Sequence, residues 1–296
     1  MFRFTFAVFL LSSSSIAARL ARRTFFSAGR RLGNAQWSEP RNREVYGLGV
    51  GPHGQEFALE ASFGGPIGAR DGMIVNLVDL KPLLARAMAP LENAWLERGL
   101  EPFPDSQPTA ENIALWLWSR LPPRYEGASL CKLQLRESRF TAVEITRSQV
   151  EVESKIVLVM KVCRSYEFAA AHRLFVPELS PEENLVRFDK CSNPAGHGHN
   201  YGLDIWIEGA PDPASGFIIT PSRLDGLVDE EVYARFDHKH LNVDCPEFSE
   251  AGLVPTSENL ARLIFELLGA RLQREGYALA RVGLRETHKN YFEVEA

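Results

Sequence analysis

The sequence predicts an α+β protein built as two copies of one unit. Three observations carry this expectation. Stretches with period-two alternation, at 166–174 and 201–207, read as strands with one buried face. A segment at 222–233 reads as a helix. The chain also matches itself: segments of its first half recur in the second at offsets of 142 to 149 residues, close to half of the 296.

Taken in order, residues 1–19 read as an N-terminal extension. They hold a short apolar run after Arg3, four serines and an arginine-containing end. The run is too short to span a membrane. Its acid-free Arg/Ser character also suits an organelle transit peptide; the expectation taken is a plain tail on a cytoplasmic protein. Residues 20–146 form the first copy. In it, 23–32 lines up with 165–174, the Gly51–Phe57 region with His197–Tyr201, and 71–76 with 215–220. Pro108-Thr-Ala-Glu-Asn112 matches Pro255-Thr-Ser-Glu-Asn259, and Arg136-Glu137-Ser matches Arg285-Glu286-Thr. The polar stretch 147–157 is expected to be a linker, and 158–296 forms the second copy.

The second copy carries the chemistry. Six of the seven histidines lie between His172 and His288. His197 and His199 open a strand-like run, and side chains two apart on a strand share a face. They can therefore clasp one metal ion, with Cys191 reaching the same place from the preceding loop. His172 lies on an apolar-faced strand with Phe168, Ala170 and Leu174, where an ionisable ring needs a partner. Three imidazoles leave a fourth position open on zinc, the catalytic pattern. The plainer readings are solvated strand histidines and a core histidine bonded to a carbonyl. Asp237-His238 can orient an imidazole for proton transfer, or simply form a polar turn. Glu286, at or near a strand end, can accept two parallel hydrogen bonds from a guanidine-like ring edge, or be an ordinary surface carboxylate.

Composition suits a soluble protein, 45% hydrophobic and 24% charged. Residues 1–38 hold six arginines and no acid, so the remainder carries 27 basic against 38 acidic groups. That acidity argues against a nucleic-acid partner. Cys131, Cys163, Cys191 and Cys245 lack disulfide-framework spacing, which suits a reducing compartment. There is no convincing dinucleotide fingerprint, phosphate loop or H-E-x-x-H motif.

From about Cys163 onward the chain resembles the 6-pyruvoyl-tetrahydropterin synthase family. The resemblance rests on Phe168-Ala-Ala-Ala-His172, Cys191-Ser-Asn-Pro-Ala-Gly-His197-Gly-His199-Asn-Tyr, Asp237-His238-Lys-His-Leu-Asn, Pro255-Thr256-Ser257-Glu-Asn, and Arg285-Glu286-Thr, in that order. It implies a T-fold: a four-stranded antiparallel sheet with two helices, closing into barrels on oligomerisation. It implies zinc as cofactor on His172, His197 and His199. Cys191, Asp237 and His238 become the catalytic group, and Glu286, Thr256 and Ser257 the substrate-binding residues. The implied reaction releases triphosphate from 7,8-dihydroneopterin triphosphate to form 6-pyruvoyl-tetrahydropterin, a lyase step without nicotinamide or flavin. The implied partners are that small molecule and further copies of the chain, as a trimer or hexamer, with no membrane. A related branch, in queuosine biosynthesis, makes 6-carboxytetrahydropterin from the same substrate. That branch usually spaces Cys and His-Gly-His by three residues, whereas five separate Cys191 from His197. A non-catalytic pterin-binding protein is the further alternative.

The first copy has Arg30, His53 and Gln55 at the ligand positions, Gly47 about where Cys191 stands, and Glu92-Asn93 for Asp237-His238. Arginine stays protonated and does not ligate zinc. This copy is expected to be chemically silent, with Glu137 a leftover carboxylate of a structural repeat.

Overall fold

The computed structural model describes residues 17–103, 105–150, 155–249 and 252–296. The expectation for the N-terminal extension thus lies almost wholly outside the described residues. The first copy runs β1 (Ala17–Arg30), α1 (Glu39–Tyr46), β2 (His53–Pro66), α2 (Leu77–Met88), α3 (Ala110–Arg120), β3 (Arg124–Tyr125), β4 (Ala128–Arg136) and β5 (Thr141–Val150). The second runs β6 (Lys155–His172), α4 (Pro181–Phe188), β7 (His197–Glu208), α5 (Pro221–Val228), α6 (Ala234–Phe236) and β8 (Lys239–His240). It continues with α7 (Leu241–Asp244), α8 (Pro246–Ser249), α9 (Ser257–Arg274), β9 (Ala278–Arg285) and β10 (Tyr291–Glu295).

The main strands form one sheet in the order β1-β2-β4-β5-β6-β7-β9-β10, with β3 on β4 and β8 on β6. Each copy thus contributes four main antiparallel strands, as expected, and the helices exceed two in each copy. The copies join edge to edge, because β5 and β6 pair antiparallel from Thr141↔Arg164 to Val150↔Lys155. Of residues 147–157, expected as a linker, 147–150 pair with 155–158 across β5 and β6, and 151–154 lie outside the described residues. Strand pairing there satisfies backbone groups that would otherwise line two open sheet edges.

Alternation places the core. Phe57, Leu59 and Ala61 on β2, and Tyr201, Leu203 and Ile205 on β7, point to the same buried face. The long helices cover it. α9 offers Leu260, Ala261, Ile264, Leu268 and Leu272, a stripe at helical spacing. Thr256 caps its start by accepting Asn259 N–H at 3.2 Å, and Thr109 caps α3 the same way from Asn112 at 3.3 Å. Most buried apolar residues of both copies form one continuous cluster, with two small satellites around Trp206 and Tyr46.

Several small insertions separate the copies, and backbone geometry marks one of them. The caps of α2 and α5, Asn76 and Thr220, are 144 residues apart. Asn93 (φ 57°) and His238 (φ 56°), which share one left-handed conformation, are 145 apart. The extra residue falls in a π-helical turn, Asp229–Tyr233, between α5 and α6. A π-turn is how a helix absorbs one inserted residue. The expected helix 222–233 is therefore α5 continued by this turn.

Candidate active site

The three candidate ligands come from two paired strands. β6 and β7 pair with His172 opposite His197 and Ala170 opposite His199. The turn into β7 needs Gly196, at φ +68°, where a Cβ would lie 2.8 Å from His240 Nε2 and 2.9 Å from the His172 carbonyl oxygen. One ring nitrogen of each of His172, His197 and His199 lies within 4.8 Å of the others. His172 is fully buried and the other two are half-buried.

Hydrogen bonds decide which nitrogen is free. His172 Nδ1 sits 2.7 Å from the Pro255 carbonyl oxygen, which can only accept. Nδ1 therefore carries the proton and Nε2 presents a bare lone pair. That lone pair faces His197 Nε2 at 3.1 Å. Either His197 holds its proton on Nε2 or a cation takes both lone pairs. His199 Nε2 is buried without a hydrogen-bond partner among the described residues, which favours the cation. Burial, then the neighbouring imidazoles, push the pKa of His172 down against the pull of Pro255 and Glu286; burial and His199 do the same to His197. Neutral rings are the ligating form. The residues thus fit a zinc ion.

Glu286 follows directly on β9 and stands beside the triad. Its Oε1 is 3.8 Å from both His172 Nε2 and His199 Nε2, and accepts the Ser257 hydroxyl at 2.8 Å. Asn290, in the turn to β10, donates to Oε2 at 3.2 Å. Burial works to raise this carboxyl's pKa, but the Ser257 and Asn290 hydrogen bonds and the two histidines outweigh it, so it is held below its ordinary value. Thr256 spends its hydroxyl on the helix cap. Cys191 lies in a 3-10 turn, Asp189–Ser192, anchored by Leu174 N–H donating to the Cys191 carbonyl at 2.8 Å. Burial, then Glu286, raise the Cys191 thiol's pKa, with Lys190 pulling the other way.

Asp237 and His238 form a pair, Oδ1 to Nδ1 at 2.9 Å, and Asp237 also accepts the Ala169 N–H at 2.9 Å. That backbone bond and His238 hold the Asp237 carboxyl low against partial burial. Among the described residues no hydrogen bond or ion pair ties the pair to the triad, Cys191 or Glu286. The His238 side chain is 81% exposed. The structure therefore gathers the triad and Glu286–Ser257, but leaves Asp237–His238 on the surface of a single chain.

The first copy repeats this frame with a different occupant. Arg30 pairs opposite His53 on β1–β2, in the register of His172 and His197. Its guanidinium is buried, donating to the Pro108 carbonyl at 2.7 Å, Gln55 Oε1 at 2.5 Å and His53 Nε2 at 3.3 Å, and pairing with Glu137 Oε1 at 2.7 Å. The Pro108 carbonyl thus does for Arg30 what the Pro255 carbonyl does for His172. A built-in cation sits among the side chains that would surround a metal. The residue opposite Cys191 is Gly49, not Gly47 as the sequence suggested. Leu32 N–H bonds the Gly49 carbonyl at 2.8 Å just as Leu174 bonds Cys191, and Gly47 (φ 54°) instead matches Asp189 (φ 48°). Sequence reasoning missed the roles of Pro255, Asn290 and Arg30. The matching Pro108-Thr and Pro255-Thr pairs were the available signal for the first.

A family model described as 6-pyruvoyl tetrahydropterin synthase matches the chain twice, over residues 19–148 and 161–296. The chain belongs to this family. A protein of Pongo abelii named 6-pyruvoyl tetrahydrobiopterin synthase is 41% identical over 130 residues, covering 44% of this chain and 87% of that one. The Homo sapiens protein of the same name is 42% identical over 108 residues, covering 36% and 73%. A solved structure of Caenorhabditis elegans 6-pyruvoyl tetrahydropterin synthase is 35% identical, with a TM-score of 0.44, covering 47% of this chain and 96% of that one. No helix among the described residues is long and apolar enough to cross a membrane.

Proposed function

We propose that the second copy is a zinc-dependent lyase site acting on 7,8-dihydroneopterin triphosphate, forming 6-pyruvoyl-tetrahydropterin and triphosphate. One observation carries this reading: in a member of this family, three imidazoles converge with the His172 lone pair fixed by Pro255, and a held carboxylate stands 3.8 Å away. His172, His197 and His199 would hold the metal. Bound there, zinc would lower the pKa of the nearby Cys191 thiol and polarise the two side-chain hydroxyls of the substrate.

The chain's own groups do the rest. Glu286, kept ionised and oriented by Ser257 and Asn290, accepts the ring N–H and exocyclic amine of the pterin and sets the side chain's distance from the histidines. Cys191 takes the proton from the side-chain carbon beside a hydroxyl. Asp237–His238 moves the second proton; being exposed, the pair is available to the site of a neighbouring chain in a homo-oligomer. The five-residue spacing from Cys191 to His197 favours the pyruvoyl product over the carboxy product.

Incubation of the full chain with 7,8-dihydroneopterin triphosphate, followed by product identification and triphosphate release, tests this. Formation of 6-carboxytetrahydropterin would move the reading to the other branch. Tight binding without turnover in zinc-loaded protein would leave only a pterin-binding protein.

A further inference from the structure

The two copies enclose a cavity of about 380 Å³ where they meet, and nothing in the catalytic reading uses it. The first copy supplies Arg30, Glu111, Glu137 and Tyr46; the second supplies Arg164 and an apolar wall that includes Phe217 and Leu224. The volume falls within the range of small-ligand sites.

Its polar chemistry is specific. Glu137 Oε1 is taken by Arg30 and, at 3.3 Å, by Gln55, whereas Oε2 has no partner among the described residues. Glu111 is only 2% exposed. Its Oε1 accepts the backbone N–H of Ile218, from the other copy, at 3.3 Å, and no side-chain donor reaches it among the described residues. Its counterpart Glu258 is exposed, so the second copy is what buries Glu111. Two carboxyl groups therefore face a mostly apolar space whose two arginines are already engaged, Arg30 with His53, Pro108, Gln55 and Glu137, and Arg164 with both carboxylate oxygens of Asp225. Such groups call for a neutral ligand with several N–H donors on one edge. The aromatic rings of Tyr46 and Phe217, one from each copy and 5.7 Å apart, give the space a flat apolar flank.

We propose that this junction cavity binds a flat nitrogen heterocycle with adjacent N–H donors, of the 2-amino-4-oxopyrimidine class, and holds it without converting it. Glu137 is the anchor, in the strand register of Glu286, and the ligand class rests on the reading of Glu286 given above. Conversion is excluded by the residues opposite the catalytic ones. Arg30 stands where His172 would ligate a metal, and Gly49 where Cys191 would take a proton. Because the walls come from both copies, an occupied cavity also ties the copies together.

The test is the stoichiometry of neopterin, which carries no triphosphate to eliminate, titrated by fluorescence or calorimetry into the full chain. Glu137→Gln should remove one equivalent per chain relative to wild type. Thr141→Phe, at the half-buried rim, should do the same while leaving the buried Arg30–Glu137 pair in place, and its thermal melt reports folding independently. An unchanged stoichiometry in Thr141→Phe, or no binding to wild type at all, overturns the proposal. Glu286→Gln is read in parallel. If it removes nothing while the junction variants each remove one equivalent, the catalytic reading fails and the junction site stands.

Discussion

Replacing Arg30 tests whether the first copy is built around its own cation. Arg30→Met keeps a stem of similar length but removes the guanidinium from the Pro108 carbonyl, Gln55, His53 and Glu137. Its side chain is 3% exposed, so water does not replace these bonds, while Glu137 is 21% exposed and keeps some hydration. Breaking a buried pair by removing one partner costs about 3–5 kcal/mol, and partial hydration of Glu137 places this case near 3. At roughly 2.1 cal/mol/K of unfolding entropy per residue, a chain of this length has about 0.6 kcal/mol/K, so the melting temperature should fall by about 5 °C. Arg30→Lys keeps the charge but loses the fork, and should cost about half as much. In the Arg30→Met background, Glu137→Gln should recover part of the loss, because it removes the orphaned charge. Chemical and thermal denaturation of wild type, Arg30→Met, Glu137→Gln and the double variant supplies the cycle, with Arg30→Lys read alongside. A cost under about 1 kcal/mol for Arg30→Met, or equal costs for Lys and Met, would refute the reasoning.

Elemental analysis should find one zinc per chain, lost in His197→Ala; two tightly bound ions would mean that the first copy ligates metal despite Arg30. Cys191→Ala should retain zinc and fold while turnover falls about 10²–10⁴-fold, whereas Cys131→Ser stays near wild type; near-normal turnover in Cys191→Ala removes it from the mechanism. Burial raises the Glu111 carboxyl's pKa from 4.5 to about 7, so the folded state binds its proton more tightly than the unfolded chain. That contribution is complete below the unfolded pKa and is lost as pH rises through 7, by about 3 kcal/mol in all. Denaturation of Glu111→Gln at pH 5 and pH 8 should show a smaller drop than wild type, and identical drops would argue that Glu111 does not titrate in this range.

Much of the site was legible because its signals are local. A period of two puts His197 and His199 on one face of β7, and the same parity on β6 puts His172 beneath an apolar row. The duplication was legible from matching segments, and the identity of Arg30 alone argued against metal in the first copy. Sequence matching alone sets Gly47 against Cys191, because it offers no way to place a gap within a short turn. Only the positive φ shared with Asp189, and the Leu32 bond to Gly49, assign it. The polar stretch at 147–157 reads as a linker because its composition lacks an apolar face, whereas the pairing of 147–150 with 155–158 is set by backbone hydrogen bonds that composition does not report.

What the sequence by itself determined is which groups can do chemistry: three imidazoles, a thiol and a carboxylate in one copy, and an arginine in place of a histidine in the other. Only the tertiary structure decided how those groups are poised. The Pro255 carbonyl that fixes the His172 tautomer lies 83 residues away along the chain, and the Ile218 N–H that meets buried Glu111 lies 107 away. Local periodicity reports which face a side chain takes. It carries no information about what distant segment arrives opposite, and in this chain that arrival sets the charge, burial and enclosure of both sites.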